Sequence, residues 1–188
     1  MKRVLIFLFI VTVISIMDSC IATAEKAIEE ILEIEKELAL DSTGVIIPEK
    51  ADRATQLYRH FVEKFPNHPN SPMYLFHGAD LAMNTGNYEM AIDMLNTLIE
   101  SYPESDKVPV AMHLRGFIYE DKLIDLDKAK ASYQELIDKF PKHELAENAQ
   151  GCIDNLGISP EELIKMWAKR DSLTIDSAKL SDSNENLD

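Results

Sequence analysis

The sequence predicts an all-α fold, a stack of helical hairpins of about three units closed by a C-terminal capping helix. Three observations predict it. Aromatic-proline pairs, Phe65-Pro66, Tyr102-Pro103 and Phe140-Pro141, recur at spacings of 37 and 38 residues. An alanine (Ala54, Ala91 or Ala129) stands twelve residues before each of those prolines. No stretch alternates polar and apolar residues with the period of two that a half-buried strand requires. Self-similarity at such a period is the mark of a repeat architecture, in which each unit buries its apolar face only against its neighbours.

The chain begins with Met1-Lys2-Arg3 and the apolar run Val4 to Met17. A charged start followed by a short apolar stretch reads as an export signal, short and close to the terminus for a membrane span, with an uncleaved anchor as a minor option beside cleavage. Two processing sites compete. Met17-Asp18-Ser19-Cys20 is similar to the lipobox of bacterial lipoproteins, in which the cysteine becomes the acylated first residue, and Ala22-Thr23-Ala24 is an A-x-A site for ordinary signal cleavage. Lipidation at Cys20 is favoured because that cysteine ends the apolar run and the other, Cys152, is distant. Residues 1–19 are therefore read as a signal peptide, and the chain is expected on the periplasmic side of a bacterial envelope. It is anchored there by lipid, or soluble after cleavage at Ala24 in the alternative.

The repeat domain is expected over 20–170. Ala24 to Leu40 sets Ala27, Ile28, Ile31, Leu32 and Leu38 among many Glu and Lys, an amphipathic helix. Asp41 to Lys50, with Gly44 and Pro48, reads as a loop. Between each alanine and its proline the apolar residues run i, i+4, i+7, i+11: Ala54, Tyr58, Phe61, Phe65; Ala91, Leu95, Leu98, Tyr102; Ala129, Tyr133, Leu136, Phe140. That spacing puts each set on one stripe of a helix. The small alanine lets a neighbouring helix approach, and the proline ends the helix because it lacks an N–H and fixes φ. Pro72 to Thr85 is the partner helix of one unit, with Ser71 as its N-cap, Pro72 at the first position and Gly86-Asn87 as its break. Pro109 to Leu123 repeats the plan, and Ala79 and Gly116 are equivalent small residues. Ser159-Pro160-Glu161-Glu162 is a capping box that opens a short helix carrying Trp167, a cap (159–170) for the open end of the stack. Residues 171–188 are rich in Ser, Asp, Asn and Lys and are expected to be a disordered acidic tail.

The Gly86-Asn87-Tyr88 turn, Ala91, Leu95, Leu98 and Tyr102-Pro103 resemble the second half of a tetratricopeptide (TPR) unit. Gly116, Tyr119, Ala129, Tyr133 and Pro141 follow the same template. The resemblance covers about 51–157. It departs in its period, 37 to 38 against 34 in the family, and in placing Leu75 and Gly78 where an early tryptophan and leucine are usual. Long units that end in an aromatic-proline pair are similar to those of exported bacterial TPR lipoproteins, small ones of the Bacteroidetes type and, distantly, BamD-like assembly factors. The resemblance implies a right-handed solenoid. It also implies a periplasmic or membrane-tethered scaffold without implying a specific pathway. The leading reading is a non-enzymatic scaffold for protein partners that aids outer-membrane or cell-wall assembly, with a self-associating structural module as the alternative and an enzyme or metal-binding protein as a remote one. Carried onto this sequence, the template's concave groove is lined by Phe76, Asp80, Met83 and Asn84 from one unit and by His113, Phe117, Glu120 and Asp121 from the next. A protein or peptide with an apolar segment would bind there as a helix or an extended strand.

Composition and motifs point away from other functions. A formal charge of −14 repels phosphate backbones, whose binders carry basic stripes, so no nucleic-acid partner is expected. The six glycines form no phosphate-cradling loop. His143-Glu144-Leu145-Ala146-Glu147 begins like a zinc-protease helix, yet the second histidine is replaced by Glu147, so no metal site is expected. His68 and His143 each lie two residues after a repeat proline and read as turn polarity. Cys152 reads as a half-buried small residue. No catalytic residues, cofactor or small-molecule substrate follow from the sequence.

Overall fold

The computed structural model describes residues 23–38, 47–159, 161–166 and 168–169, so the expected signal peptide, Cys20, Trp167 and the acidic tail lie outside the described residues. Within them the protein is helical: α1 (23–38), α2 (Pro48–Lys64), α3 (Ser71–Asn84), α4 (Tyr88–Ser101), α5 (Val108–Phe117), α6 (Leu126–Lys139), α7 (Glu144–Asn155) and a short α8 (161–166). Consecutive helices from α2 to α7 pack against one another, and α5 also touches α7 directly, the contact expected when hairpins stack in register. The fold is an all-α, TPR-like helical solenoid.

The repeat is written into the backbone. Phe65, Tyr102 and Phe140 share nearly one conformation, with φ between −128° and −132° and ψ between 56° and 58°. Each precedes a proline, whose ring clashes with a helical predecessor and drives it out of the α region. Each N–H still bonds one turn back, to Phe61 O (2.8 Å), Leu98 O (3.0 Å) and Leu136 O (2.9 Å). The following turns close alike, with N–H groups of His68, Ser105 and His143 donating to the carbonyls of those aromatics at 2.9–3.0 Å. Turn polarity also explains the two histidines, since Nδ1 of His68 and of His143 accepts from the N–H two residues on, each at 3.1 Å.

The stripes form the core. Ala54, Ala91 and Ala129 are fully enclosed, as are Tyr58, Phe61, Leu95, Leu98, Tyr133 and Leu136. Burying side chains of that size is worth about 1.5–3 kcal/mol each. Ile31 and Ile34 bring α1 into the same core. Tyr58 and Tyr133, at equivalent stripe positions, each deliver a hydroxyl to a carboxylate on another segment: Tyr58 donates to Glu35 Oε1 on α1 (2.7 Å) and Tyr133 to Glu120 Oε2 (2.8 Å). Both phenols are pushed to high pKa by burial first and by the accepting carboxylate second, so each stays a donor.

Three sequence expectations are corrected. The loop read as Asp41–Lys50 ends earlier, because α2 starts at Pro48. Proline loses nothing at the first turn of a helix, and the N–H groups of Lys50 and Ala51 both bond Ile47 O at 3.1 Å. Ser71 is not a side-chain cap. It is fully buried as the first residue of α3, and its hydroxyl donates to Phe65 O (2.7 Å), a second bond to the carbonyl that already accepts from His68 N–H. The helix read as Pro109–Leu123 is regular only to Phe117 and then widens into a π-helical turn, Ile118–Lys122. The N-caps that follow the hairpin turns are orthodox: Asn87 accepts from Met90 N–H (3.3 Å) and Asp125 from Lys128 N–H (3.2 Å). At the C-terminal end Ser159 and Glu162 bond reciprocally through side chain and backbone at 3.0–3.2 Å and start α8.

Candidate partner-binding groove

The template's groove residues fall on α3, on α5 and in the π turn Ile118–Lys122 that follows α5. On α3, Phe76 and Met83 are half-buried against the core, while Asp80 and Asn84 are exposed. The face is therefore an apolar strip with a polar margin, the usual consequence of a 3.6-residue period only partly covered by neighbours. His77, which template reasoning passed over, is exposed on this helix with its ring edge-on to Tyr58, 6.3 Å between centroids.

On α5 and the π turn after it the predicted residues divide into two groups. His113 and Glu120 turn toward the core. The His113 ring lies 5.4 Å from that of Tyr133, and its Nε2 is buried with no hydrogen-bond partner in the structure. Burial holds the imidazole below its ordinary pKa, against the opposing pull of Glu120, so the neutral ring is favoured. Glu120 accepts the Tyr133 hydroxyl and so has a packing role that a freely solvated rim charge lacks. Cys152 on α7 is half-buried beside the same tyrosine, and burial pushes its thiol up. Buried thiols of this kind are poor nucleophiles.

Phe117 and Asp121 form the second group and face outward. Phe117 is 36% exposed, with the Lys122 ammonium 5.4 Å from its ring centre. That ammonium is paired with Asp121 at 2.8 Å. Of the eight template residues, then, Phe76, Met83 and Phe117 supply apolar surface, Asp80, Asn84 and Asp121 supply exposed polarity, and His113 and Glu120 mainly hold α5 to α6.

A polar junction that sequence reasoning missed lies on α5 next to this face. Arg115 donates through Nη1 to Asn96 Oδ1 on α4 (2.7 Å), through Nε to Ser132 Oγ on α6 (3.2 Å), and through Nη2 to Glu135. Burial works against ionisation of Glu135, yet its bonds to Lys139 and Arg115 outweigh that and hold its pKa below the usual carboxylate range. One guanidinium thus ties three helices of two successive pairs. A lone arginine at mid-helix gives no sequence signal for such a role, because its partners come from helices some 20 residues away on either side.

Among the described residues no group of three or more metal-ligating side chains is placed to hold an ion. Surface hollows of about 540 and 430 Å³ lie at the aromatic-proline turns, one between the Pro69–Pro72 and Tyr102–Lys107 segments, the other between Ala24 and Phe65-Pro66. Both are on the turn edge of the stack. No described helix is long and apolar enough to cross a membrane.

A family model described as a tetratricopeptide repeat aligns with residues 74–105 and 110–143, two successive helix pairs. This is narrower than the 51–157 over which the resemblance can be read by eye. No curated protein matches the chain.

Proposed function

We propose that the protein is a non-enzymatic interaction scaffold of the bacterial envelope, and that the α3–α5 face binds an apolar segment of a partner protein that carries basic flanks. Repeats of this type ordinarily bind proteins on such faces. The observation that carries the reading is the composition of the face itself, with Phe76, Met83 and Phe117 partly exposed between Asp80 and Asp121 on a chain of formal charge −14. Apolar contacts at the centre would set the lifetime of the complex, and the acidic margin would set its rate of formation.

Crosslinking in envelope extracts should identify the partner, whose binding is then measured kinetically. Phe117→Ala is expected to speed dissociation by about tenfold or more, the effect of losing one aromatic anchor. Asp121→Lys is expected to slow association in a salt-sensitive way. Two variants that fold normally by circular dichroism and bind as the parent does would move the interface elsewhere.

Placement in the envelope rests on the N-terminal sequence, where the apolar run ends at Cys20. We propose that Cys20 is acylated and tethers the scaffold to a membrane. Labelled palmitate should enter the parent and not Cys20→Ala, and a mature N-terminus at Glu25 would refute the tether.

A further inference from the structure

The two matched hairpins differ by one residue. Asn87, which caps α4, follows Ser71 by 16 positions, whereas Asp125, which caps α6, follows Val108 by 17. The extra residue is taken up at the end of α5, where the helix widens into the π turn Ile118–Lys122, the usual form of a one-residue insertion in a helix. The closing bond lengthens to match: Asn87 N–H reaches back five residues to Ala82 O, and Asp125 N–H reaches six to Tyr119 O, both at 2.8 Å.

The consequence falls on Ile124. It adopts a left-handed backbone (φ 54°) at the place where Gly86 (φ 82°) turns the preceding hairpin, and Gly157 (φ 77°) makes the turn after α7. A β-branched residue is a poor choice for that conformation. Its side chain does not compensate by packing, since it is 69% exposed, beside Leu123 at 41%. With Phe117, these make three of the large exposed hydrophobic residues within eight positions at one end of α5. Strained residues with exposed apolar side chains, next to a π turn, cluster at functional surfaces. The surrounding charge is net acidic: Asp121 pairs with Lys122 and Asp125 with Lys128, each at 2.8 Å, which leaves the charges of exposed Asp127 and of Glu120, the latter bonded to Tyr133, without an offsetting lysine among these residues.

We propose that Phe117, Leu123 and Ile124 form an apolar docking corner for a protein partner whose own apolar surface is rimmed by lysine or arginine. The proposal rests on the groove reading, because Phe117 and Asp121 belong to both, and extends it over the end of α5. A second copy of this chain is the poorer occupant, since it would set one acidic corner against another.

The probe is an 18-residue amphipathic Leu/Lys helix, with its Leu/Glu counterpart as charge control, titrated into the ¹⁵N-labelled full chain. The Leu/Lys peptide should shift the amide signals of residues 117–125 and the Leu/Glu peptide should not. Ile124→Gly and Leu123→Ser should each weaken binding at least about fivefold. The thermal midpoint of Ile124→Gly should stay at or above that of the parent, which separates a docking role from a packing one. Unchanged affinity in Ile124→Gly, or a lowered midpoint, overturns the proposal. So does light scattering that shows a parent dimer dissolved by Ile124→Gly. If affinity is unchanged while signals of Phe76, Asp80 and Met83 still move, the groove stands and the corner alone falls. Shifts in neither region fell both.

Discussion

The hairpins α3/α4 and α5/α6 share an alanine, a four-residue stripe and an aromatic-proline stop, and they seal their helix contacts by different chemistry. In the first, Gly78 faces Met94, and a Cβ on that glycine would lie 2.2 Å from the Met94 methyl carbon. A flexible thioether fills the space, as methionine commonly does in irregular gaps. One repeat later the same two positions are Arg115 and Ser132, joined by a 3.2 Å hydrogen bond, and the guanidinium also reaches Asn96 and Glu135. Beside it Gly116 lies flat against a tyrosine, where an added Cβ would stand 2.5 Å from Tyr133 Cε1. The first pair has slack and the second does not. Directional bonds and a pinned ring fix the packed part of α5, so its extra residue emerges at the free end of the helix as the π turn and the strained Ile124.

The comparison can be broken most directly at Arg115. Arg115→Ala removes every bond of the junction and leaves Glu135 partly buried without its arginine, which should cost about 2–3 kcal/mol. Urea unfolding would show the midpoint fall, and a loss below about 0.5 kcal/mol would mean that the second pair is held by its apolar stripe alone. Next comes Gly116→Ala. The Tyr133 ring cannot yield without losing its bond to Glu120, so overpacking should outweigh the better helix propensity of alanine, for a net loss of about 1–2 kcal/mol. The smallest effect is expected for Gly78→Ala, where Met94 can swing aside and the propensity gain of about 1 kcal/mol offsets the cost. Equal losses at Gly78 and Gly116 would erase the contrast between a yielding contact and a rigid one.

The helix positions of the candidate site residues follow from counting along the sequence. The alanine, stripe and proline positions placed α3 and α5, and a template then placed Phe76, Asp80, Met83, Asn84, Phe117 and Asp121 on their faces. Glu120 and His113 were harder to assign. Both sit where the helical period allows an outward face, yet Tyr133 on α6 draws them inward through a 2.8 Å bond and a ring contact. The π turn left a trace in the sequence, the step from a 37- to a 38-residue spacing, together with isoleucine at the place of Gly86. That trace says an extra residue exists without saying where the helix absorbs it.

By itself the sequence determined the class of fold, the period, the stops and the composition of the face, because each depends on local chemistry. A proline forces its predecessor out of the helix wherever it stands, and a residue's place on a stripe depends only on counting. The tertiary structure alone decided which polar groups are spent on packing and which remain free. Glu35, Glu120, Arg115 and Ser71 find their partners on other segments of the chain. Those pairings follow from how closely the helices approach, which is set by the volumes of Gly78, Gly116 and the enclosed alanines acting together in three dimensions.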